Sequence, residues 1–152
     1  MNDMNRLRLA DQLIVDEGVV YEIYQDPLGL PTFGVGHLIR EGDPEYGLPI
    51  GAEIPESRVW ETFEDDIEIA ISECKMLYGD YTFSNFPDEV KEILVNMMFN
   101  LGRTKLSKFR KMNRHLQNGD WVFAAMEGRD SLWYKQVTNR AERLMSRLEK
   151  VV

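Results

Sequence analysis

Residues 17–37 read EGVVYEIYQDPLGLPTFGVGH, and this stretch decides the fold of the first part of the chain. The β-branched and aromatic run VVYEIY is typical of a β-strand. DPLGLP supplies the proline and glycine of a turn, and PTFGVGHLI predicts a returning strand. On that strand Thr32, Gly34 and Gly36 are expected to share a nearly bare face, with the apolar residues between them on the other. The sequence therefore predicts a β-hairpin with one face open to a ligand or another backbone.

Glu17 precedes the hairpin at the end of a helical pattern. Leu7, Ala10 and Ile14 stand ten, seven and three residues before it, so Glu17 is expected to continue an apolar helix face. Desolvation at the rim of such a face favours the neutral form of a carboxyl. A carboxyl that holds its proton near neutral pH can act as a general acid.

Asp26 lies in the predicted turn, where it should be partly hydrated and ionised. Two carboxyls in contrasting environments suit glycoside hydrolysis, in which one protonates the leaving oxygen and the other activates water or attacks the sugar. The alternative is purely structural, because a Glu before a helix-ending Gly and an Asp before a Pro are common in folded proteins. The spacing alone leaves both interpretations open.

Helical patterns account for most of the remaining chain. One helix is predicted from about Pro55 to Tyr78, with Gly79 ending it. At roughly 24 residues it would be about 36 Å long, which is enough to connect two lobes. Residues 79–86 are predicted to be a connection, followed by about five compact helices, among them single helices over 87–102 and 106–116.

Three blocks of sequence resemble the T-even phage lysozymes, glycoside hydrolase family 24. The first comprises Glu17-Gly18, Tyr24-Gln25-Asp26, Thr32 and Gly34-Val35-Gly36-His37-Leu38, which resemble the active-site region of that family. The second is NMMFNLG at residues 96–102, similar to its central helix. The third is WYKQ at 133–136 with Asn139-Arg140-Ala141, similar to its C-terminal signature. The blocks occur in the family's order and span nearly the whole chain.

The resemblance implies a two-lobed α+β fold. A small N-terminal lobe with the β-hairpin would cover residues 1–54, a connecting helix residues 55–78, and an all-α C-terminal lobe residues 79–152. The substrate cleft would lie between the lobes.

The resemblance also implies a muramidase that cleaves the β-1,4 bond between N-acetylmuramic acid and N-acetylglucosamine in peptidoglycan. Glu17 would donate a proton to the bridging oxygen. Asp26, with Thr32, would position a water for attack from the opposite face, as in an inverting hydrolase.

Supporting residues follow from the same resemblance. His37 could be a base, but by family position it pairs with Asp66, and this structural ion pair is the interpretation we favour. Arg140 would reach Glu17 and hold it in place; the alternative is an exposed arginine, which a helix N-terminus does not favour.

Four further positions concern the sugar. Leu38 and Phe99 match the family's substrate contacts. Met112 stands where the family tends to have Ser, and Glu127 where it tends to have Asn. These two departures affect the expected substrate preference and leave the catalytic residues untouched.

Two rival functions remain at this stage. A lytic transglycosylase would cleave the same bond without water and would need only the acid, so the presence of Asp26 and Thr32 argues against it. A non-catalytic peptidoglycan-binding module on a lysozyme fold would not need the three residues at all.

The formal net charge of −8 is unevenly distributed. Residues 1–102 hold 6 Lys and Arg against 21 Asp and Glu, a net of −15, whereas residues 103–152 hold 12 against 5, a net of +7. Either the basic part meets an anionic partner such as the cell wall, or the two parts neutralise one another.

Composition also narrows the setting. We expect no signal peptide, no stable membrane association, a monomer in the host cytoplasm, and, for an endolysin, release with the help of a holin. A tail-associated or cellular lysozyme would look much the same over these residues. Cys74 is the only cysteine and is expected to be a buried core residue. No metal or organic cofactor and no nucleic-acid partner is implied, because the chain lacks a Cys/His cluster, a nucleotide-binding glycine motif and a basic stripe interleaved with aromatics.

Overall fold

A computed structural model describes the whole chain, Met1–Val152. It contains nine helices and three strands. In chain order these are α1 (Asp3–Glu17), β1 (Val20–Gln25), β2 (Pro31–Gly34), β3 (His37–Leu38), α2 (Glu56–Tyr78), α3 (Asp80–Asn85), α4 (Asp88–Leu101), α5 (Arg103–Ser107), α6 (Arg110–Gln117), α7 (Trp121–Arg129), α8 (Leu132–Gln136) and α9 (Thr138–Glu149). The predominance of helices beside one small sheet confirms the predicted α+β class.

The chain forms two compact units, as expected for a two-lobed fold. One unit is Ala10–Glu68, and the other combines Met1–Leu9 with Ile69–Val152. The borders fall inside α1 and α2, so each of these helices contributes residues to both units. None of the helices has the length and apolar character that crossing a membrane requires.

The unit Ala10–Glu68 is built on an antiparallel sheet in the order β1-β2-β3. Tyr24 pairs with Thr32, and Thr32 in turn pairs with Leu38. A bulge between Val20 and Tyr24 interrupts the register of β1. One face of the sheet carries the core of this unit, whose buried members are Ile23, Phe33, Ile39, Ile54 and Val59.

The buried face of α1 differs from the prediction. Leu7 is 68% exposed, whereas Leu9 and Leu13 are fully buried. Apolar residues occur on several sides of α1, so more than one stripe fits the 3.6-residue period, and packing selects the one through Leu9 and Leu13. Glu17 lies one turn beyond Leu13 on this line, and the predicted half-buried position of Glu17 is nevertheless found.

The predicted returning strand is also interrupted. Gly34 and Gly36 have φ angles of 66° and 63°, and residues 35–36 form a turn that separates β2 from β3. Backbone in this left-handed region is accessible to glycine at little cost, and it reverses the chain. The expectation of a bare strand face through Gly36 is therefore wrong, because Gly36 lies in a hairpin turn.

The second unit surrounds α4, which is buried on nearly all sides from Val90 to Met98. Helix α4 packs against α5 and α9, and α7 packs against α6 and α9. Seven helices follow residue 79, more than predicted. Residues 80–85 form α3 where a connection was expected, and the predicted helix over 106–116 is divided into α5 and α6.

Helix α2 begins within one residue of the predicted start and ends at Tyr78 as predicted. Cys74 is buried in it, and burial raises the pKa of its thiol. The predicted core role of Cys74 is thus confirmed.

Candidate active site

Glu17 is the last residue of α1, and the glycine after it ends the helix. The Gly18 amide donates to the carbonyl oxygen of Ile14 at 2.9 Å, and Gly18 has φ 74°, the geometry of a helix C-terminal cap. The carboxyl group of Glu17 then packs on the backbone of Gly36. A Cβ atom added to Gly36 would lie 2.7 Å from Oε1 of Glu17, so this space is open to the carboxyl only because residue 36 is glycine.

Asp26 follows β1 and is fixed by the turn that it begins. Its Oδ1 accepts hydrogen bonds from the amides of Leu28 and Leu30, each at 2.9 Å, and its own amide donates to the Leu30 carbonyl at 2.9 Å. These bonds explain why an aspartate suits this turn. Its second oxygen, Oδ2, accepts no hydrogen bond from the chain and remains open to a ligand. Asp26 is partly exposed, as predicted.

Thr32 is buried, with 4% of its surface exposed. Its Oγ1 donates to the carbonyl oxygen of Leu30 at 3.0 Å, which leaves its acceptor lone pairs unused. Leu38 lies directly opposite Thr32 on β3 and is partly exposed. The sheet thus brings the predicted sugar-contact residue beside the predicted hydroxyl.

The strand register places several of these side chains on one face of the sheet. Ile23 and Phe33 belong to the core face, so their neighbours Tyr24 and Thr32 point to the opposite face. Directly opposed residues of two antiparallel strands share a face. Asp26 is two residues beyond Tyr24, and its amide continues the ladder to Leu30, so it belongs to the same side as Tyr24.

The carboxylates of Glu17 and Asp26 both affect the ionisation of Tyr24 on this face. The pKa of Tyr24 is raised above its ordinary value, first by burial of the phenol and then by the negative charges of Glu17 and Asp26. One phenol thus lies within the field of both carboxylates. Sequence reasoning singled out Tyr24 only as part of a motif; its two-residue offset from Asp26 on a strand was the signal that it shares the site.

His37 supports the site from β3. Its Nδ1 lies 2.7 Å from Oδ2 of Asp66, and its Nε2 lies 2.8 Å from Oδ2 of Asp43. Burial alone would lower the pKa of His37, but the hydrogen bonds and charges of Asp66 and Asp43 raise it. Asp43 also accepts a hydrogen bond from the Arg40 amide at 3.0 Å. The structure shows the predicted contact with Asp66, and both ring nitrogens are occupied, so His37 is not a free base.

The remaining predicted site residues belong to the other unit. Phe99 is partly buried on α4. Arg140, in the first turn of α9, donates from Nε to Oδ1 of Asn96 at 2.9 Å and from Nη2 to the Asn96 carbonyl at 3.3 Å. Since Asn96 is itself buried, Arg140 is a fixed side chain rather than the exposed arginine of the alternative interpretation.

A cavity of about 600 Å³ opens in the same unit and contains both positions that depart from the family. Met112 and Glu127 line it, together with the aromatic rings of Phe109 and Trp133. Four cations complete its charged lining: Lys105, Lys108, Arg110 and Lys111. No group of His, Cys, Asp and Glu side chains in the chain is arranged to hold a metal ion.

Comparison with known proteins agrees with this geometry. The model of the phage lysozyme family matches residues 15–150. The chain is 31% identical to probable T4-type lysozyme 2 of Dictyostelium discoideum and 27% identical to probable T4-type lysozyme 1, covering 93% of this chain and of each relative. It is 28% identical to the pre-baseplate central spike protein Gp5 of Enterobacteria phage T4 over 94% of this chain, which corresponds to 28% of that longer protein.

The chain therefore belongs to the phage lysozyme family. It is a lysozyme-type enzyme, of the class that hydrolyses peptidoglycan.

Proposed function

We propose that the enzyme is a muramidase that hydrolyses the β-1,4 bond between N-acetylmuramic acid and N-acetylglucosamine. The observation that supports this most directly is a pair of carboxyls held beside one sheet: that of Glu17 packs on the turn at Gly36, and that of Asp26 is fixed at the end of β1 with Oδ2 open. Two carboxyls arranged about a scissile bond are what glycoside hydrolysis requires.

Each residue is assigned one step. Glu17, packed on Gly36 at a helix end, donates its proton to the bridging oxygen as the glycosidic bond breaks. Asp26 accepts a proton, at its open oxygen Oδ2, from the water that attacks the anomeric carbon on the opposite face. Thr32 holds that water with its acceptor lone pairs. Attack from the opposite face inverts the configuration of the sugar.

The substrate contacts extend this assignment. Leu38 and Phe99 would pack against sugar rings, and Arg140 would hold the carboxylate of Glu17. His37 and Asp66 stabilise the sheet that carries the catalytic groups, and they take no part in the chemistry. Met112 and Glu127 would change which wall chemistry the enzyme accepts, since they line a cavity in which the family tends to have smaller or neutral polar residues.

The setting we propose is phage-type lysis of a bacterial wall, with the enzyme as an endolysin that a holin releases from the host cytoplasm. The family supports this setting. The test is lysis timing in a host that expresses the protein with and without a holin: clearing only when both are present is expected, whereas clearing without the holin would contradict the release route.

The enzymatic proposal is tested by the loss of turbidity of purified peptidoglycan, with analysis of the sugars released. Wild type should clear the suspension and yield hydrated reducing ends, and Glu17→Gln should reduce the rate by a factor on the order of 10³ or more, because the general acid is lost. The initial anomer of the product, observed by NMR, should be the inverted one.

Three other results would contradict the proposal. Anhydro-sugar products would identify a lytic transglycosylase. A retained initial anomer would show that Asp26 attacks the sugar rather than activating water. Binding to the wall by wild type and variant alike, with no clearing by either, would identify a wall-binding module.

A further inference from the structure

Tyr24 carries the one phenol on the catalytic face of the sheet, and its hydroxyl has no hydrogen-bond partner within the chain. Its side chain is partly buried. Partly buried donors in folded proteins are normally paired with an acceptor or with water. The unpaired hydroxyl of Tyr24 is therefore available to a ligand or a water molecule at this face.

Three groups of the proposed mechanism lie near Tyr24. Thr32 stands directly opposite on β2, and Asp26 follows two residues along the same side. Glu17 and Asp26 both act electrostatically on the phenol. Tyr24 thus lies among the three groups to which the proposed mechanism assigns the acid, the base and the water-holding hydroxyl.

The hydrogen-bonding capacities of these groups are complementary. An ionised carboxylate only accepts hydrogen bonds, and Oδ1 of Asp26 already accepts two from the backbone. The hydroxyl of Thr32 donates its hydrogen bond to the Leu30 carbonyl, so toward a ligand it also can only accept hydrogen bonds. A water that donates to Asp26 and Thr32 uses both of its protons and still needs a donor for its oxygen. The O–H of Tyr24, on the same face as Thr32, has no acceptor within the chain and can supply this donor.

We propose that Tyr24 is a further catalytic residue, whose O–H donates a hydrogen bond to the oxygen of the attacking water. This role rests on the proposed hydrolysis. In the step itself the water oxygen bonds to the anomeric carbon and passes a proton to Asp26, while Glu17 gives its proton to the bridging oxygen as the bond to carbon breaks. Tyr24 keeps its proton throughout and fixes the direction of attack.

The test is Tyr24→Phe, which removes one oxygen and leaves the ring. With a soluble peptidoglycan oligosaccharide as substrate, kcat should fall by about 10-fold or more, as for the loss of one positioning donor, while KM stays within about twofold. A purely structural role would not produce this separation. The thermal unfolding midpoint should stay within about 2 °C of wild type, since the hydroxyl makes no bond within the chain.

The matched control is Tyr21→Phe on the same strand. Tyr21 is 43% exposed, and the edge of its ring packs on Trp60, with 6.5 Å between ring centroids. The proposed mechanism assigns no step to Tyr21. The kcat of Tyr21→Phe should therefore remain within about twofold of wild type.

The pH profile separates contact with water from contact with a carboxylate. If the phenol bonds to water, Tyr24→Phe lowers kcat at every pH and leaves the apparent pKa values of the profile in place. A shift of either limb with an unchanged plateau would show that Tyr24 bonds to Glu17 or Asp26, and this would overturn the proposal. So would a kcat within twofold of wild type, or a rise in KM alone.

Failure of the proposed hydrolysis is distinguishable from failure of this inference. If wild type releases no reducing ends, the hydrolase proposal itself is wrong. If wild type is active, Glu17→Gln is inactive and Tyr24→Phe is as active as wild type, only the role of Tyr24 is overturned.

Discussion

Residue 36 shows how the absence of one side chain makes room for the candidate acid. Position 36 requires glycine for two reasons. Its φ of 63° is strained for any other residue, and the carboxyl of Glu17 occupies the space that a Cβ atom would take. The end of α1 and the turn between β2 and β3 thus meet where the Glu17 carboxyl contacts the backbone of Gly36. The position of the catalytic carboxyl depends on a backbone more than 15 residues further along the chain.

Gly36→Ala should therefore impair catalysis more than it impairs folding. The left-handed backbone costs about 1–2 kcal/mol for a residue with a side chain. The added methyl group also displaces the Glu17 carboxyl, and a displacement of about 1 Å reduces kcat by a factor on the order of 100. The measurements are kcat on peptidoglycan oligosaccharides and the free energy of unfolding in urea.

Gly47→Ala is the control for backbone strain. Gly47 has φ 89°, and a Cβ atom there would meet nothing within 4 Å. It should lose comparable stability and keep full activity. Equal activity of the two variants would mean that the contact with Glu17 does not control the chemistry.

Sequence spacing identifies some of the site residues and cannot identify others. Glu17, Asp26 and Thr32 are close in sequence on a helix end and a hairpin, where local periodicity determines which way side chains point. Asp43 was missed as a partner of His37, because it lies in an irregular loop whose path is set by tertiary packing. No periodicity predicts where such a loop brings a carboxylate.

At the scale of elements, His37 joins three segments of the unit Ala10–Glu68. It lies on β3, its Nδ1 faces Asp66 of α2, and its Nε2 faces Asp43 of the loop after β3. A second pair holds the same loop to α2, since Arg58 donates from Nε and Nη2 to the two carboxylate oxygens of Glu45 at 2.9 and 3.0 Å. The short sheet is thus fastened to α2 through charged side chains as well as through its core.

The stability contributed by His37 should depend on pH with a definite sign. Since the folded state raises the pKa of His37, its contribution is fully present below the unfolded value of about 6.5 and is lost as pH rises through the folded pKa. The free energy of unfolding should fall over that interval in wild type. In His37→Asn the fall should be absent, and stability at pH 6 should be lower by about 1–3 kcal/mol.

Asp43→Asn provides the comparison at acid pH. The folded state lowers the pKa of Asp43, so its contribution is present above the unfolded value of about 3.9 and is lost as pH falls through the folded pKa. The variant should differ from wild type most near neutral pH and least in acid. Urea denaturation across pH 3 to 9 measures both effects, and parallel curves for wild type and His37→Asn would refute the assignment.

Elements with strong local signals were predicted best. Helix α2 has a proline before its start, a long apolar stripe and a glycine after its end, and its bounds were predicted within one residue. The break that divides the predicted helix over 106–116 into α5 and α6 has no such local sequence signal. Phe109 has ψ 60°, outside the helical range, although neither proline nor glycine occurs there, and its ring packs edge-on against Trp133 at 6.2 Å. Tertiary packing, which the sequence pattern does not contain, ends α5 at this point.

At the scale of the whole molecule, a buried carboxylate on α4 connects the first turns of α1 with α9 within one unit. Glu92 of α4 is fully buried and accepts from Nδ2 of Asn5 at 2.9 Å and from Nε of Arg8 at 3.2 Å. Nη2 of Arg147 on α9 lies 3.5 Å from its Oε1. The first turns of α1 therefore belong to the helical unit, whereas its residues from Ala10 onward belong to the unit that holds the sheet.

Glu92→Gln should destabilise the protein strongly. The substitution keeps the shape and removes the charge, so Arg8 and Arg147 lose their buried counterion, at a cost of about 3 kcal/mol for a buried group. Glu89→Gln is the control, since Glu89 pairs with the same two arginines but its side chain is 35% exposed, and its loss should cost less than about 1 kcal/mol. Equal losses in urea denaturation would contradict a special role for the buried position.

The composition of the helical unit has a consequence for biosynthesis. Asn5 and Arg8 are synthesised before the sheet-bearing segment, yet their partner on α4 lies 84 or more residues downstream, and Arg147 on α9 lies further along still. The segment Ala10–Glu68, by contrast, is one continuous stretch of chain that forms a compact unit. During translation the sheet-bearing segment can therefore fold before α4 is made, and Asn5 and Arg8 reach their buried partner only after that segment has been synthesised.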